Sequence, residues 1–152
     1  MRIGIDGTCW QNRRGYGRHL RALLSAAVRL DQANEYVLFL DSPEGSVAAP
    51  PDISVEWVST SAPGALEASS EGHRSVKDMW RVSRAMSAPG FDVLLFPTVY
   101  SYVPVFSRAH KVLFIHDVIA ETYPKLTLPN RKARLFWSAK VALGCRQADL
   151  VV

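Results

Sequence analysis

The sequence predicts an α/β fold, a Rossmann-like, mostly parallel sheet with helices on both faces. Three observations carry this. Short apolar runs bounded by turn residues alternate with stretches of helical period, the mark of βαβ units. Most of those runs are apolar throughout, as strands covered on both faces are. The chain has 152 residues, of which 48% are hydrophobic and 21% charged, enough for one domain, spanning 1–152, with a core of its own.

The strands are expected at "RIGID" (2–6), "YVLFLD" (36–41), "ISVEWVST" (53–60), "DVLLFP" (92–97), "KVLFIH" (111–116) and "DLVV" (149–152). Helix one begins near Tyr16, with Leu20, Leu23, Leu24, Ala27 and Val28 recurring on one face and Arg18, Arg21, Ser25 and Arg29 on the other. A second helix near 74–87 is expected to bury Val76, Met79, Trp80 and Met86, stopped by "APG" at 88–90. A third, roughly 129–146, starts with Pro129 at a favoured first-turn position. Segments 42–52 and 61–73, rich in Pro, Gly, Ser and Ala, read as surface loops. The sequence stops inside "ADLVV", a strand-like run, which reads as part of something longer.

The net charge of +4 is unevenly placed. Five arginines and no acid lie between Asp6 and Asp31, and six lysines and arginines and no acid between Thr122 and Ala148. The N-terminus "MRIGIDGTCW" lacks the apolar run of a signal peptide, and no segment holds enough consecutive apolar residues to span a bilayer. Cys9 and Cys145 fit no metal spacing and read as reduced packing residues. The expected compartment is the cytoplasm.

Two places carry candidate chemistry. In "NRRGYGRHLRALL" (12–24) a glycine loop follows the first strand and opens a helix. Gly15 and Gly17 would let the backbone approach a ligand, while Arg13, Arg14 and Arg18 bring positive charge to a helix N-terminus suited to phosphate. The alternative is that the glycines only shape the turn and the arginines are solvated. A dinucleotide site has partial support from Gly15-Tyr16-Gly17 and from Asp41 at the end of the second strand. Against it, Leu20 replaces the third glycine, and eight residues separate Asp6 from Gly15 where a tight turn is required. The second place is "KVLFIHDVIAETYP", where His116 and Asp117 end a buried strand, the edge at which this fold class binds ligands. His116 can donate to a phosphate or a sugar hydroxyl, and the acid can fix its tautomer or take a hydroxyl proton. No G-x-S-x-G, Walker loop or D-x-D is found, and the pair makes a poor metal site.

Taken in order, "MRIGID", "RRGYGRHLRALL", "NEYVLFLD", "FDVLLFP", "VLFIHDVIAETYP" and "ADLVV" resemble the N-terminal half of family 4 glycosyltransferases, in particular the mannosyltransferase-like branch. The resemblance implies a GT-B architecture. Two Rossmann-like domains face each other, the C-terminal one holding most of the nucleotide sugar and the N-terminal one the acceptor. It implies retention of anomeric configuration, no metal and no cofactor beyond the nucleotide-sugar donor. The family's glycine loop maps onto Gly15, Tyr16, Gly17 and Arg18, facing donor phosphates and acceptor. Its active-site histidine maps onto His116, followed by Asp117. The family's paired glutamates and nucleotide-binding loops belong to the C-terminal half, which this sequence does not include, so the 152 residues alone are expected to be inactive.

On the acceptor side, "FPTVYSYVPVFS" (96–107) gathers Tyr100, Tyr102 and Phe106 after the fourth strand. Aromatic faces suit sugar rings, and equally suit packing the loop on the core. The basic stretch 129–146, with Lys125 just before it, could lie on anionic headgroups beside a lipid-linked acceptor, or be a solvated charge run. No nucleic-acid-reading module is visible. The competing reading is a non-catalytic nucleotide-binding or interaction module on the same fold.

Overall fold

The computed structural model describes residues 1–13, 15–41, 48–61 and 75–152. Six strands form one sheet: β1 (Arg2–Asp6), β2 (Glu35–Leu40), β3 (Ser54–Trp57), β4 (Val93–Phe96), β5 (His110–Leu113) and β6 (Leu150–Val151). Every pairing is parallel, in the order β3-β2-β1-β4-β5-β6. Five helices are described: α1 (Gly15–Leu30), α2 (Val76–Met86), α3 (Ile119–Thr122), α4 (Pro124–Thr127) and α5 (Arg131–Gln147). The chain is thus an α/β, Rossmann-like domain, its sheet parallel throughout.

Alternation along β2 shows why the strands read as continuous apolar runs. Leu38 and Leu40 join a cluster with Ile5, Leu20 and Leu24, on the α1 side. Val37 and Phe39 join the other cluster with Val82, Met86, Leu94, Phe96, Leu113 and Trp137, beneath α2 and α5. Both faces are therefore covered, and a strand with a polar face would leave one of them unsealed. On α1, Leu20 and Leu24 are buried as the stripe predicts, each contributing about 1.5–3 kcal/mol by leaving water.

The sequence-derived boundaries shrink at the strand ends. β3 is an edge strand whose ladder covers Ser54–Trp57 only, although the Val58 amide still donates to Leu40 O at 2.7 Å. β5 ends at Leu113, but the Phe114 and Ile115 amides continue onto Phe96 O and Val152 O. Pro129 is not in the first turn of the last helix. Asn130 is its N-cap, the Oδ1 accepting from the Ala133 amide at 2.9 Å, and the helix starts at Arg131. α3 and α4, four residues each, are too short to leave a periodic signal.

The expected face of α2 is corrected. Val76 and Trp80 are 77% and 58% exposed, and the buried residues are Asp78, Val82, Ser83 and Met86. The helix is turned by its cap. Ser75 Oγ accepts from the Asp78 amide at 3.1 Å, and the buried Asp78 carboxylate accepts from Ser75 Oγ, Ser61 N, Ser61 Oγ and Arg81 Nη1. A buried carboxylate so satisfied is tolerated inside, while Trp80 stays outside with the Arg84 guanidinium over its ring, 5.4 Å from the centroid. Cys9 is buried as expected, but Cys145 is exposed and packs no core; both are free. Residues 42–47 and 62–73 of the expected loops lie outside the described residues.

Asp31 and two tyrosines make stability pH-dependent at both extremes. Hydrogen bonds, first from Tyr36 and then from Asn34 and the Ala33 amide, hold the half-buried Asp31 carboxyl down at about 2. Burial, and then Asp31, push Tyr36 up to about 12, and burial does the same for Tyr102. A depressed carboxyl stabilises above its unfolded value and loses that contribution as pH falls through the folded one. A raised tyrosine stabilises below about 10 and loses it as pH rises. Urea unfolding midpoints are expected to fall below about pH 4 as the Asp31 contribution is lost, and to fall again above about pH 10. A flat alkaline limb would contradict this account of the tyrosines.

Candidate functional site

In this strand order the direction of winding reverses between β1 and β4, the place where an open α/β sheet forms its ligand crevice, at the carboxyl ends of the strands. Three segments follow those strand ends: residues 7–13 after β1, leading to α1, 97–109 after β4 and 114–118 after β5. Side chains of α1 and of the latter two segments meet.

The β1 exit is set by Asp6. Its Oδ1 accepts from the Thr8 amide (3.0 Å) and Thr8 Oγ1 (2.7 Å), folding the chain back at once. Turn bonds from Trp10 N to Gly7 O and from Asn12 N to Cys9 O carry it to α1. Arg21 is held in place by this loop, its Nη1 donating to Trp10 O and to Asn12 O, so it leaves the solvated face expected for it. The two glycines have different uses. A Cβ on Gly17 would stand 2.0 Å from Asn12 O and 2.8 Å from Cys9 O, whereas one on Gly15 would meet nothing within 4 Å. Gly17 thus serves close contact between helix and loop, and only Gly15 keeps backbone open to a ligand. Both lie inside α1, not at a strand-to-helix turn, and a dinucleotide fingerprint requires the latter. Arg13 and Arg18 are exposed; Arg14 lies outside the described residues.

Tyr16 and His19, one helical turn apart, face the crevice. The Tyr16 ring lies 4.8 Å from Tyr100 and 5.4 Å from His116. His19 stands edge-on to His116 at 4.7 Å and 5.5 Å from Phe114. Tyr100 continues the chain of rings to Trp137 on α5, 4.8 Å away, and Trp137 Nε1 donates to Glu121 Oε1 at 2.8 Å. Lys140 Nζ donates to Tyr100 O at 2.6 Å, so this lysine of the basic helix serves the site's wall and not an outer surface. Burial, then the Tyr100 hydroxyl and Asp117, raise the Tyr16 hydroxyl far above its ordinary value. Burial first, then the neighbouring His116, lower His19, whose Nε2 is buried with no hydrogen-bond partner. His19 is a neutral ring that packs beside His116.

His116 itself is exposed. Its Nε2 lies 2.8 Å from Pro97 O. A carbonyl oxygen only accepts, so Nε2 carries the proton and the neutral ring's Nδ1 is the acceptor. The tautomer is therefore fixed by Pro97 and not by Asp117, whose Oδ1 accepts from the Ile119 amide at 3.0 Å and opens α3. A neutral His116 can accept from a hydroxyl; donating to a phosphate would require the imidazolium.

Of the expected acceptor contacts, Tyr100 lines the site and Tyr102 does not. Tyr102 is 2% exposed, packs at 5.1 Å against Phe96 and donates to Gln147 Oε1 at 2.6 Å, so it fastens the loop to α5. Phe106 is 81% exposed. Sequence reasoning missed His19, Phe114, Trp137 and Lys140. For His19 a signal existed, since its spacing of three from Tyr16 puts both on one helical face. For Trp137 and Lys140 there was none, because only the fold brings α5 over the β4 exit.

Among the described residues, no three His, Cys, Asp or Glu side chains gather as a metal site, and no helix is long and apolar enough to cross a membrane. The fold and the crevice define an α/β protein with a candidate ligand site at the carboxyl edge of a parallel sheet. Compared with protein-family models, curated proteins and solved structures, the chain gives no match.

Proposed function

We propose that the chain is the acceptor-side domain of a retaining GT-B glycosyltransferase of family 4, moving a sugar from a nucleotide sugar to a glycan or lipid-linked acceptor together with its own C-terminal domain. The observation that carries this reading is the exposed His116, its Nε2 committed to Pro97 O, beside Tyr16 of the glycine helix. An imidazole oriented by its Nε2 bond to Pro97 O, next to the Tyr16 phenol, suits the orientation of sugar hydroxyls.

In this reading Arg13, Arg18 and the first amides of α1 face the leaving diphosphate as the anomeric bond to it breaks. The bond to the acceptor oxygen forms as that oxygen's proton passes to the departing diphosphate oxygen. No metal takes part. The mannosyltransferase-like branch makes mannose the first donor sugar to test. The domain works in the cytoplasm, where the exposed Lys125, Arg131, Lys132 and Arg146 offer contacts to the inner face of the membrane for a lipid-linked acceptor.

The test is titration of the 152-residue chain with UDP-, GDP- and ADP-sugars, read by calorimetry and amide shifts. Binding is expected in the millimolar range, about 4 kcal/mol, with shifts at Gly15–Arg18 and at His116 that weaken at high salt. Nucleotide release is expected only from a protein that also carries the second domain. Binding without turnover in that longer protein would favour a non-catalytic module, and shifts confined to other regions would remove the site from this edge.

A further inference from the structure

Helix α5 carries two apolar stripes, and the core accounts for one of them. Trp137 and Gly144 are buried, and Ala133, Val141 and Ala148 pack against the core beside them. Leu135, Phe136, Ala139 and Leu143 recur at helical spacing on a different face. Leu135 is 74% exposed and Phe136 51%, and Ala139 and Leu143 are exposed as well. Single exposed apolar residues are ordinary, but a line of them along one helix face marks a surface made to be covered. More apolar surface lies just ahead of α5 in the chain. Ile119 and Leu126, on α3 and α4, and Tyr123 between them are each more than half exposed, and Trp137 Nε1 ties α3 to α5 through Glu121 Oε1 at 2.8 Å.

Charge selects what covers the stripe. Lys132 stands three residues before Leu135 and Arg146 three after Leu143, so a cation brackets the stripe at each end. Both are exposed, as are Lys125 and Arg131. The sequence has no acid from Thr122 to Ala148, and the acids on either side are engaged, Glu121 by Trp137 and Asp149 by the Lys111 amide at 2.8 Å. A second copy docked through the same stripe about a two-fold axis would set these cations against their own equivalents. A bilayer with anionic headgroups matches both features at once, phosphate for the lysines and arginines and acyl chains for the leucines and the phenylalanine. With 17 residues, α5 is about 25 Å long. It is not long and apolar enough to cross a membrane, so it lies in the plane of the surface.

We propose that the outer face of α5 is a membrane-docking surface, with Leu135, Phe136 and Leu143 inserted among the acyl chains of an anionic bilayer and Lys132 and Arg146 on its headgroups. Contact through charge alone would leave the domain above the headgroups and yield to salt, whereas inserted apolar side chains resist it. Trp137, on the inner face of the same helix, packs 4.8 Å from Tyr100 of the crevice. Docking thus holds the crevice about one helix diameter, about 10 Å, from the bilayer, within reach of an acceptor whose lipid stays in the membrane. That last step rests on the glycosyl-transfer reading; the docking surface rests on α5 itself.

The test is flotation of the 152-residue chain with vesicles of phosphatidylcholine alone and of phosphatidylcholine mixed with phosphatidylglycerol. Binding is expected on the mixed vesicles and is expected to survive in part at high salt. Leu135→Ser with Phe136→Ser should weaken it by about tenfold or more without moving the melting temperature, since both side chains are already exposed. Lys132→Gln with Arg146→Gln should weaken it by a similar factor, about tenfold. Insertion is read by a polarity-sensitive dye on Leu135→Cys in a Cys145→Ser background, Cys9 being buried. Its emission should rise and shift to the blue on the mixed vesicles, while a dye on Ser25→Cys, exposed on α1, should not respond. No binding to the mixed vesicles, binding unchanged by the serine pair, or a silent dye at position 135 would each overturn the surface. A dye at 135 already shielded before vesicles are added, in a dimer or in a longer protein with the second domain, would assign the stripe to protein packing and overturn it too. The two readings fail separately. Docking through α5 in a longer protein that never releases nucleotide keeps the surface and ends the transferase. Transfer to a soluble acceptor by a protein that ignores vesicles keeps the transferase and ends the surface.

Discussion

Gly17→Ala is expected to destabilise the domain by about 3 kcal/mol or more. Replacing a helical glycine by alanine ordinarily stabilises by up to about 1 kcal/mol, so the expected sign is set by what the new methyl meets. Two of its nearest neighbours are main-chain carbonyls, Asn12 O at 2.0 Å and Cys9 O at 2.8 Å, and neither can swing away as a flexible side chain could. The third, Arg21 Nη1 at 2.9 Å, is the group that ties the loop to α1. Relief requires the start of α1 to lift from the loop, which breaks the bonds from Arg21 to Trp10 O and Asn12 O and disturbs Cys9 and Trp10, both buried in the α1-side core. For a domain of this size the loss corresponds to a fall in melting temperature of about 6–12 °C. Gly15→Ala is the control: with no atom within 4 Å of the added carbon, its stability should be unchanged or slightly raised. Equal melting temperatures for the two variants would refute the distinction between the glycines.

That distinction also marks how far sequence reaches. The six strands and three long helices were legible because burial on both faces forces an uninterrupted apolar run, as at Val37–Leu40, and α1 needs only one stripe. Where a helix is oriented by polar groups the stripe misleads. α2 was expected to turn Val76 and Trp80 inward, but the Ser75 cap and the Ser61, Ser75 and Arg81 bonds to Asp78 turn it away from them. At the site, His116 was legible from its position at a strand end and Tyr16 from the glycine loop. Their meeting was not, nor was the addition of Tyr100, Trp137 and Lys140, because the parallel order that brings β1, β4 and β5 side by side is a property of the crossovers and not of any local pattern. Tyr102 shows the converse. Two residues from Tyr100 and chemically identical, it points to the other side of the loop and is buried.

His116→Ala, in a transferase that contains this domain, is expected to cut turnover by about 10² or more while barely moving the melting temperature. The stability side follows from exposure. His116 is at the surface, so truncation leaves no closed cavity, and the lost bond from Nε2 to Pro97 O is worth about 1 kcal/mol, with water free to replace it. The catalytic side follows from the tautomer. With Nε2 held by Pro97, Nδ1 is a directed acceptor, and alanine offers none. Because this nitrogen is proposed to orient a hydroxyl during transfer, its loss should fall mainly on kcat. A residue that merely held the donor would raise KM instead. His116→Asn, which returns an amide oxygen as acceptor, should recover part of the rate. His19→Ala is a useful contrast. It removes a packed neutral ring beside His116, so the expected loss is in stability and in the placement of the imidazole, with the asparagine rescue at position 116 unaffected in kind. Wild-type turnover in His116→Ala, or a rate loss accompanied by an equal loss of folded protein, would take the histidine out of the chemistry and leave it a wall of the crevice.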